Sequence, residues 1–272
     1  MQKTELEKYY EKFDEDHRLK TRHGQVEFFV TYKNILAAAQ DHSALDCHCR
    51  ARPDNLFPVK ILDVGAATGA YSVPLSRQGF DVTAVELVPS NLKKLREKRE
   101  KVKCWQGDAR KLSFLDDGTF DITLLLGPLY HLHSEKEKLK ALLEASRVTK
   151  KGGFIFCAYV MNEYAVTQYC FGQNKIKENF KAGQIDKNFK TISRDGDLYS
   201  YVRLEDINAL VKKSGLERVK IFSPDGPADY MRRELNAMDQ ETFALFKDYA
   251  LKISERPELL GAGSHLVDVL RN

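Results

Sequence analysis

The chain has 272 residues, of which 43% are hydrophobic and 30% are charged, and its formal net charge is +4. This composition is typical of a soluble globular protein, and the length allows one large domain or one domain with a cap. No apolar stretch reaches the roughly 20 residues that span a bilayer. The charged N-terminus lacks the apolar core of a secretory signal peptide, and five cysteines, an odd number, do not suggest a disulfide framework. We therefore expect a cytoplasmic protein with no membrane partner, and the mild charge gives no argument for nucleic acid.

Helices and strands alternate along most of the chain. Two helices are predicted first, over residues 3–18 and 26–40, and a loop then leads to the apolar strand KILDV at 60–64. The later strands are predicted over residues 81–86, 101–106, 120–127, 153–160, 216–223 and 264–272. Helices are predicted over residues 70–79, 89–100, 135–150, 203–215 and 229–253. Such alternation predicts parallel strands joined by crossover helices, hence a doubly wound α/β sheet.

A loop of small residues, GAATG at 65–69, follows the first strand, and the second strand ends on Glu86. Small residues let a ligand approach the backbone, and a carboxylate at this place can accept hydrogen bonds from a ribose diol. The glycine spacing differs from the G-x-G-x-x-G fingerprint of dinucleotide sites. Asp63 also fits a ligand with a sulfonium and an ammonium better than it fits a pyrophosphate. With Asp108 after the third strand as an acceptor for an adenine amino group, the pattern indicates S-adenosylmethionine.

The motifs LDVGAATG, VTAVELVPSNL, GDARKL and FDITLLLGPLYHL follow one another in order, and together they resemble those of the class I S-adenosylmethionine-dependent methyltransferases. That family usually has glycine where Ala67 stands. The resemblance implies a Rossmann-like three-layer αβα sandwich whose seven-stranded, mostly parallel sheet has an antiparallel last strand. It also implies cofactor contacts from Asp63, Gly65, Ala66, Ala67, Gly69, Tyr71, Glu86, Leu87, Gly107, Asp108, Ala109, Leu126 and Gly127. Asp63 could instead be a helix-capping acid, and Glu86 or Asp108 a plain surface acid.

The resemblance also suggests how the chain is divided. Residues 1–58 would be an N-terminal helical segment over the cofactor, with Tyr10 and Arg18, or Tyr9 and Arg22, touching its methionine end. Residues 59–160 would be the binding core. Residues 161–200, rich in aromatic side chains, would be a substrate cap or only a small satellite core, and residues 201–272 would complete the sheet.

The loop LGPLYHLHS after the fourth strand should face the transferred methyl group. Tyr130 and His131 are the catalytic candidates: His131 could act as a base or could only pack against the cofactor, whereas His133 fits a surface or helix-start position better. The loop lacks the Asn- or Asp-Pro-Pro-Tyr/Phe motif of enzymes that methylate amino groups of DNA bases, which argues against a nucleic-acid acceptor.

We therefore predict methylation of a small molecule at oxygen or nitrogen by a monomer or homodimer. The alternatives are an RNA or protein methyltransferase, a nucleotide-dependent dehydrogenase and a non-catalytic S-adenosylmethionine-binding module. A group formed by His42, Cys47, His48 and Cys49 lacks the usual spacing of zinc ligands, so we expect no metal.

Overall fold

The fold was analysed in a computed structural model that describes residues 5–12, 18–46 and 58–272. Seven strands form one sheet in the order β3-β2-β1-β4-β5-β7-β6. The strands are β1 (Lys60–Val64), β2 (Asp81–Glu86), β3 (Val102–Gln106), β4 (Phe120–Leu125), β5 (Thr149–Val160), β6 (Glu217–Phe222) and β7 (His265–Arg271). Strand order reverses between β1 and β4, and ligands of open α/β sheets bind at such a point.

The first five strands pair in parallel, and β7 pairs antiparallel with both β5 and β6. Only β7 therefore runs against the others, which confirms the predicted seven-stranded Rossmann-like sheet with an antiparallel last strand. β4 is buried along its whole length, including Asp121 and Thr123, as expected for a strand that is covered on both faces.

Helices cover both faces of the sheet. They are α1 (Glu5–Lys12), α2 (Arg22–Asp46), α3 (Ser72–Arg77), α4 (Pro89–Glu97), α5 (Glu135–Val148), α6 (Asn162–Ala165), α7 (Ile176–Lys181), α8 (Leu204–Ser214), α9 (Arg232–Ala237) and α10 (Gln240–Ile253). Alternate β5 side chains enter different cores: Cys157 packs with α5 and α8, whereas Phe156 packs with α2 and α10. In the part of the chain that the structure describes, no helix is both long and apolar enough to span a bilayer.

The boundaries of three predicted elements were clearly wrong. The second helix, predicted over residues 26–40, runs over Arg22–Asp46. The helix predicted over residues 229–253 is two helices, because Met238 has an extended backbone and the Asp239 side chain accepts a hydrogen bond from the Thr242 N–H at 2.8 Å. This side chain caps a new helix, a signal that apolar periodicity does not contain. The fifth strand begins at Thr149 rather than at residue 153.

The segment 161–200 contains α6, a π-helical stretch (Val166–Phe171) and α7. Val166, Cys170 and Ile185 form a small core within it. Several of its aromatic side chains are exposed, and among the residues that line the main cavity described below only Asp195 comes from this segment. The aromatic side chains thus lie outside that cavity, and the small core agrees with the satellite-core alternative.

Candidate active site

The loops that follow β1, β2, β3 and β4 surround a cavity of about 330 Å³ at the carboxyl edge of the sheet. Most of the side chains that the sequence motifs select contribute to its wall. They are Tyr10, Arg18, Asp63, Gly65, Ala66, Ala67, Tyr71, Glu86, Leu87, Gly107, Asp108, Ala109, Leu126, Gly127, Tyr130 and His131. Convergence of these residues follows from the parallel topology, because all four strands end at one edge.

The two glycines of the first loop have different roles in the structure. Gly65 has φ +75°, and a Cβ there would lie 2.7 Å from Pro128 Cδ, so glycine lets the loops after β1 and β4 touch. Gly69 has φ +88° and is not among the residues that line the cavity. A Cβ on Gly69 would lie 2.3 Å from Leu95 Cδ1, so this glycine permits packing against α4.

Glu86 is the buried carboxylate at the end of β2, with 5% of its surface exposed. Its Oε2 accepts from the Ala67 N–H at 2.7 Å, and its Oε1 accepts from the Val88 N–H at 2.8 Å. Burial raises the pKa of Glu86, which these two backbone donors partly offset. Ala67 itself has φ +47°, a left-handed conformation that favours glycine. The side chain is thus fixed at the cavity wall by the loop that it faces.

Asp63 is the last residue but one of β1 and is buried. It accepts a hydrogen bond from the Ser72 hydroxyl at 2.5 Å, and Ser72 is the first residue of α3. Burial raises the pKa of Asp63 to about 6. Asp63 therefore binds the first turn of α3 through the Ser72 side chain, and it also lines the cavity.

Asp108 is bound by a residue that the sequence analysis missed. The Arg110 guanidinium contacts both Asp108 oxygens, with Nη2 2.6 Å from Oδ2, and its Nη1 donates to Glu137 Oε1 at 2.5 Å. Although burial opposes it, hydrogen bonding to Arg110 lowers the pKa of Asp108. A basic residue two positions after the acid, in GDARKL, was the available signal. Any adenine amino group at Asp108 would share that carboxylate with Arg110.

The N-terminal helical region supplies one wall of the cavity through Leu6, Tyr10, Arg18 and Leu19. Arg18 Nη1 donates to Glu27 Oε2 on α2 at 2.7 Å, which fixes its guanidinium. The alternative candidates lie elsewhere: Tyr9 packs edge-on against Tyr10, and the Arg22 guanidinium lies 4.3 Å from the centre of the Phe243 ring.

His131 has partners on both ring nitrogens. Nδ1 lies 2.8 Å from the Leu198 carbonyl oxygen, and Nε2 lies 2.8 Å from the Tyr10 hydroxyl. Since a carbonyl can only accept, Nδ1 carries the proton of the neutral ring, and Tyr10 donates to Nε2. Burial lowers the pKa of His131 to about 4, so the ring is neutral near pH 7. The Tyr130 and Tyr199 rings pack against it at 4.8 and 5.4 Å between centroids.

A network of ion pairs lies next to Glu27. His265 Nδ1 is 2.8 Å from Asp225 Oδ2, and Arg232 pairs with Asp229 at 2.7 Å. Burial opposes protonation of His265, but Glu27 and Asp225 raise its pKa to about 9. Atoms of Asp225, Asp229 and His265 lie within 4.8 Å of one another, the spacing of a metal site, yet each carboxylate already has a cationic partner.

The side chains of the His42, Cys47, His48 and Cys49 group lie outside the described residues.

Comparisons with known proteins agree with this geometry. Residues 62–157 match the family described as methyltransferase domain. A demethylmenaquinone methyltransferase of Renibacterium salmoninarum is 36% identical over 99 residues, which cover 36% of this chain and 40% of the relative. A glycine/sarcosine N-methyltransferase of Parasynechococcus marenigrum is 33% identical over 125 residues, which cover 41% of this chain and 44% of the relative.

Among solved structures, a SAM-dependent methyltransferase of Thermotoga maritima, described as a possible histamine N-methyltransferase, superposes with a TM-score of 0.52. The two chains are 19% identical, and the match covers 98% of this chain and 99% of that chain. At this identity the likeness concerns the fold. Residues 62–157 thus match a methyltransferase domain, and the fold is the one that the sequence motifs predicted. The chain spans about two fifths of the length of these two curated relatives.

The cavity is compatible with the cofactor that those motifs predict. Its wall brings together buried carboxylates at the ends of β1 and β2, a third carboxylate after β3 and a loop in which Gly65 lacks a side chain. Carboxylates suit a ligand with hydroxyl, amino and cationic groups, and they would repel a pyrophosphate. This set of carboxylates therefore fits S-adenosylmethionine better than a dinucleotide.

Proposed function

We propose that the protein transfers a methyl group from S-adenosylmethionine to an oxygen or nitrogen of a small molecule and releases S-adenosylhomocysteine. The observation that carries this proposal is the placement of Asp63, Glu86 and Asp108 around one cavity. The proposal extends the domain match over residues 62–157 to the activity and acceptor of the whole protein.

Each carboxylate has a role that its surroundings support. Glu86, held by two backbone N–H groups, would accept hydrogen bonds from the ribose hydroxyls. Asp108 would accept from the adenine amino group, with Arg110 fixing its orientation. Asp63, whose pKa of about 6 leaves it ionised at neutral pH, would face the ammonium and sulfonium end.

The bound cofactor supplies a methyl group on a sulfonium, which is already a good leaving group. The protein's task is then to align the acceptor atom with that methyl group, an effect that contributes several kcal/mol in oriented reactions. Tyr130 and His131 contribute to the cavity wall on the loop after β4, at the end where the cofactor's methionine part would lie.

An acceptor that loses a proton also needs a base. The neutral His131 ring accepts at Nε2 from Tyr10, so a proton released at the Tyr10 hydroxyl could pass to His131. With a pKa of about 4, His131 is a weak base, which suits an acceptor whose proton becomes acidic during transfer. Tyr10 belongs to the N-terminal helix, so this helix would help to complete the catalytic site.

The acceptor class rests on the cavity and on the relatives. The N-terminal residues Tyr10 and Arg18 form part of the cavity wall, which favours a small ligand over a polymer. One of the two curated relatives is named a glycine/sarcosine N-methyltransferase, which supports a nitrogen acceptor. The other is named for demethylmenaquinone, which supports a small-molecule acceptor but not a particular acceptor atom. An RNA or protein acceptor, or binding without turnover, would be distinguished from this proposal by assay.

The test is incubation of the protein with S-adenosylmethionine and separate panels of phenols or hydroquinones and of amines, with S-adenosylhomocysteine measured by mass spectrometry. We expect acceptor-dependent product, and a lower kcat in His131→Gln and Tyr10→Phe at unchanged cofactor affinity. Tyr249→Phe, an exposed change on α10, is the matched control. Product from RNA or peptide acceptors alone would overturn the acceptor class, and cofactor binding without product from any acceptor would favour the binding module.

A further inference from the structure

A second cavity, of about 220 Å³, adjoins the first, and His133 contributes to the walls of both. Its lining includes Tyr159 near the end of β5, Lys138 on α5 and Ser200 at the end of the segment 161–200. The motifs of the methyltransferase class do not involve these side chains, and the proposed methyl transfer leaves them without a role.

Two residues that line this cavity, His133 and Tyr159, carry a buried polar atom without a hydrogen-bond partner among the described residues, and Tyr159 is the more buried. Its side chain is 1% exposed, and its hydroxyl has no hydrogen-bond partner among the residues that the structure describes. Burial, Cys157 and Asp268 raise the pKa of Tyr159. Asp268 is itself paired with Arg218 at 2.6 Å. Burying a hydroxyl without a partner costs about 1–3 kcal/mol in proteins. A phenylalanine would fill the same space without that cost, so the hydroxyl at this position points to a ligand.

Lys138 and Ser200 line the same cavity and carry donors. Lys138 is 5% exposed, and its Nζ donates to the carbonyl oxygens of Leu129 and Leu132 and to Ser200 Oγ. The three protons of the ammonium are thereby used, and Ser200 keeps its own hydroxyl proton for another acceptor. Burial lowers the pKa of Lys138 to about 8, so the amine is mostly charged at neutral pH.

Two helices begin at this cavity. α5, of 14 residues, starts after the Ser134 cap, and α8, of 11 residues, starts after Arg203. Residues before or in the first turn of each helix line the cavity, so both positive helix ends lie beside it. The two carboxylates of these turns that line the cavity are already paired: Lys213 binds Glu135, and Lys190 Nζ lies 2.6 Å from Asp206 Oδ1.

We infer that this second cavity binds a small monocarboxylate, whose oxygens accept hydrogen bonds from the hydroxyls of Tyr159 and Ser200. The ammonium of Lys138 and the two helix ends supply the positive potential that holds the anion. The cavity has room for an acid of a few carbon atoms. This inference does not depend on the proposed methyl transfer, because the two cavities use different side chains apart from His133.

The test uses propionate as the probe, titrated into the full chain and followed by calorimetry. Acetamide serves as the uncharged comparison, and inorganic phosphate serves as a different anion. We expect one saturable site for propionate and weaker binding of acetamide and phosphate. Binding of propionate should weaken about tenfold in Tyr159→Phe, the loss expected for a hydrogen bond to a charged acceptor.

Tyr159→Phe should leave the melting temperature of the ligand-free protein unchanged or slightly raised, because the hydroxyl has no hydrogen bond to the described residues that would be lost. Tyr249→Phe is the control, and S-adenosylhomocysteine binding is measured on the same samples as an independent readout of the first cavity. Absence of saturable propionate binding, equal affinity for acetamide, tighter binding of phosphate, or unchanged affinity in Tyr159→Phe would each overturn the inference, whatever happens at the first cavity.

Discussion

Gly69 offers a test of whether a motif glycine serves the ligand or the fold. Its φ of +88° is costly for any residue with a Cβ, and the Cβ of Gly69→Ala would lie 2.3 Å from Leu95 Cδ1. Leu95 is 2% exposed, so its side chain has little space into which it can shift. The backbone strain should cost about 1–2 kcal/mol and the overpacking about 1–3 kcal/mol, so we expect a total loss of about 2–5 kcal/mol.

Gly79→Ala is the matched control for this experiment. Gly79 has a similar φ of +93°, but a Cβ there would meet nothing within 4 Å. Its substitution should therefore cost only the backbone strain, about 1–2 kcal/mol. Urea unfolding followed by circular dichroism gives both free energies of unfolding. Equal losses in the two variants would refute the packing explanation. A folded, stable Gly69→Ala protein that no longer binds S-adenosylhomocysteine would show instead that Gly69 serves the ligand.

Three further predictions concern the cavity wall. Ala67→Gly should stabilise the protein by about 0.5–1 kcal/mol in urea unfolding, because it relieves a φ of +47°; a loss of stability would contradict this. The folded pKa of His131 lies below the unfolded value of 6.5, so the stability of the wild type relative to His131→Gln should fall as pH drops from 6.5 to about 4; a pH-independent difference would argue against a buried neutral ring. Arg110→Ala should raise the pKa of Asp108, measured by carbon NMR of its carboxyl group, and an unchanged pKa would show that their contact is absent in solution.

The sequence was informative where one local pattern determines one structural outcome. The small-residue loop follows the apolar strand KILDV, Glu86 ends the second strand, and Asp108 follows the third. Parallel strands bring their carboxyl ends to one edge of the sheet. The order of these units along the chain was therefore enough to predict the sheet and the residues that meet around the cavity.

Contacts between distant segments could not be predicted in the same way. The hydrogen bond between Tyr10 and His131 joins residues 121 positions apart, and its partners depend on how the N-terminal helix lies across the sheet. The same holds for Ser200 and Lys138, 62 positions apart, which line the second cavity. Gly69 matches the motif, yet only the position of Leu95 shows that the missing side chain serves packing against α4.

The central claim is that the buried carboxylate of Glu86 recognises S-adenosylmethionine, and calorimetric titration tests it most directly. S-adenosylmethionine, S-adenosylhomocysteine and NAD are titrated into the wild type and Glu86→Ala, with Glu97→Ala on the exposed face of α4 as the control. Circular dichroism confirms that each variant is folded. We expect micromolar binding of the first two ligands by the wild type and the control, and none by folded Glu86→Ala. Binding of NAD instead, or unchanged affinity in Glu86→Ala, would contradict the account.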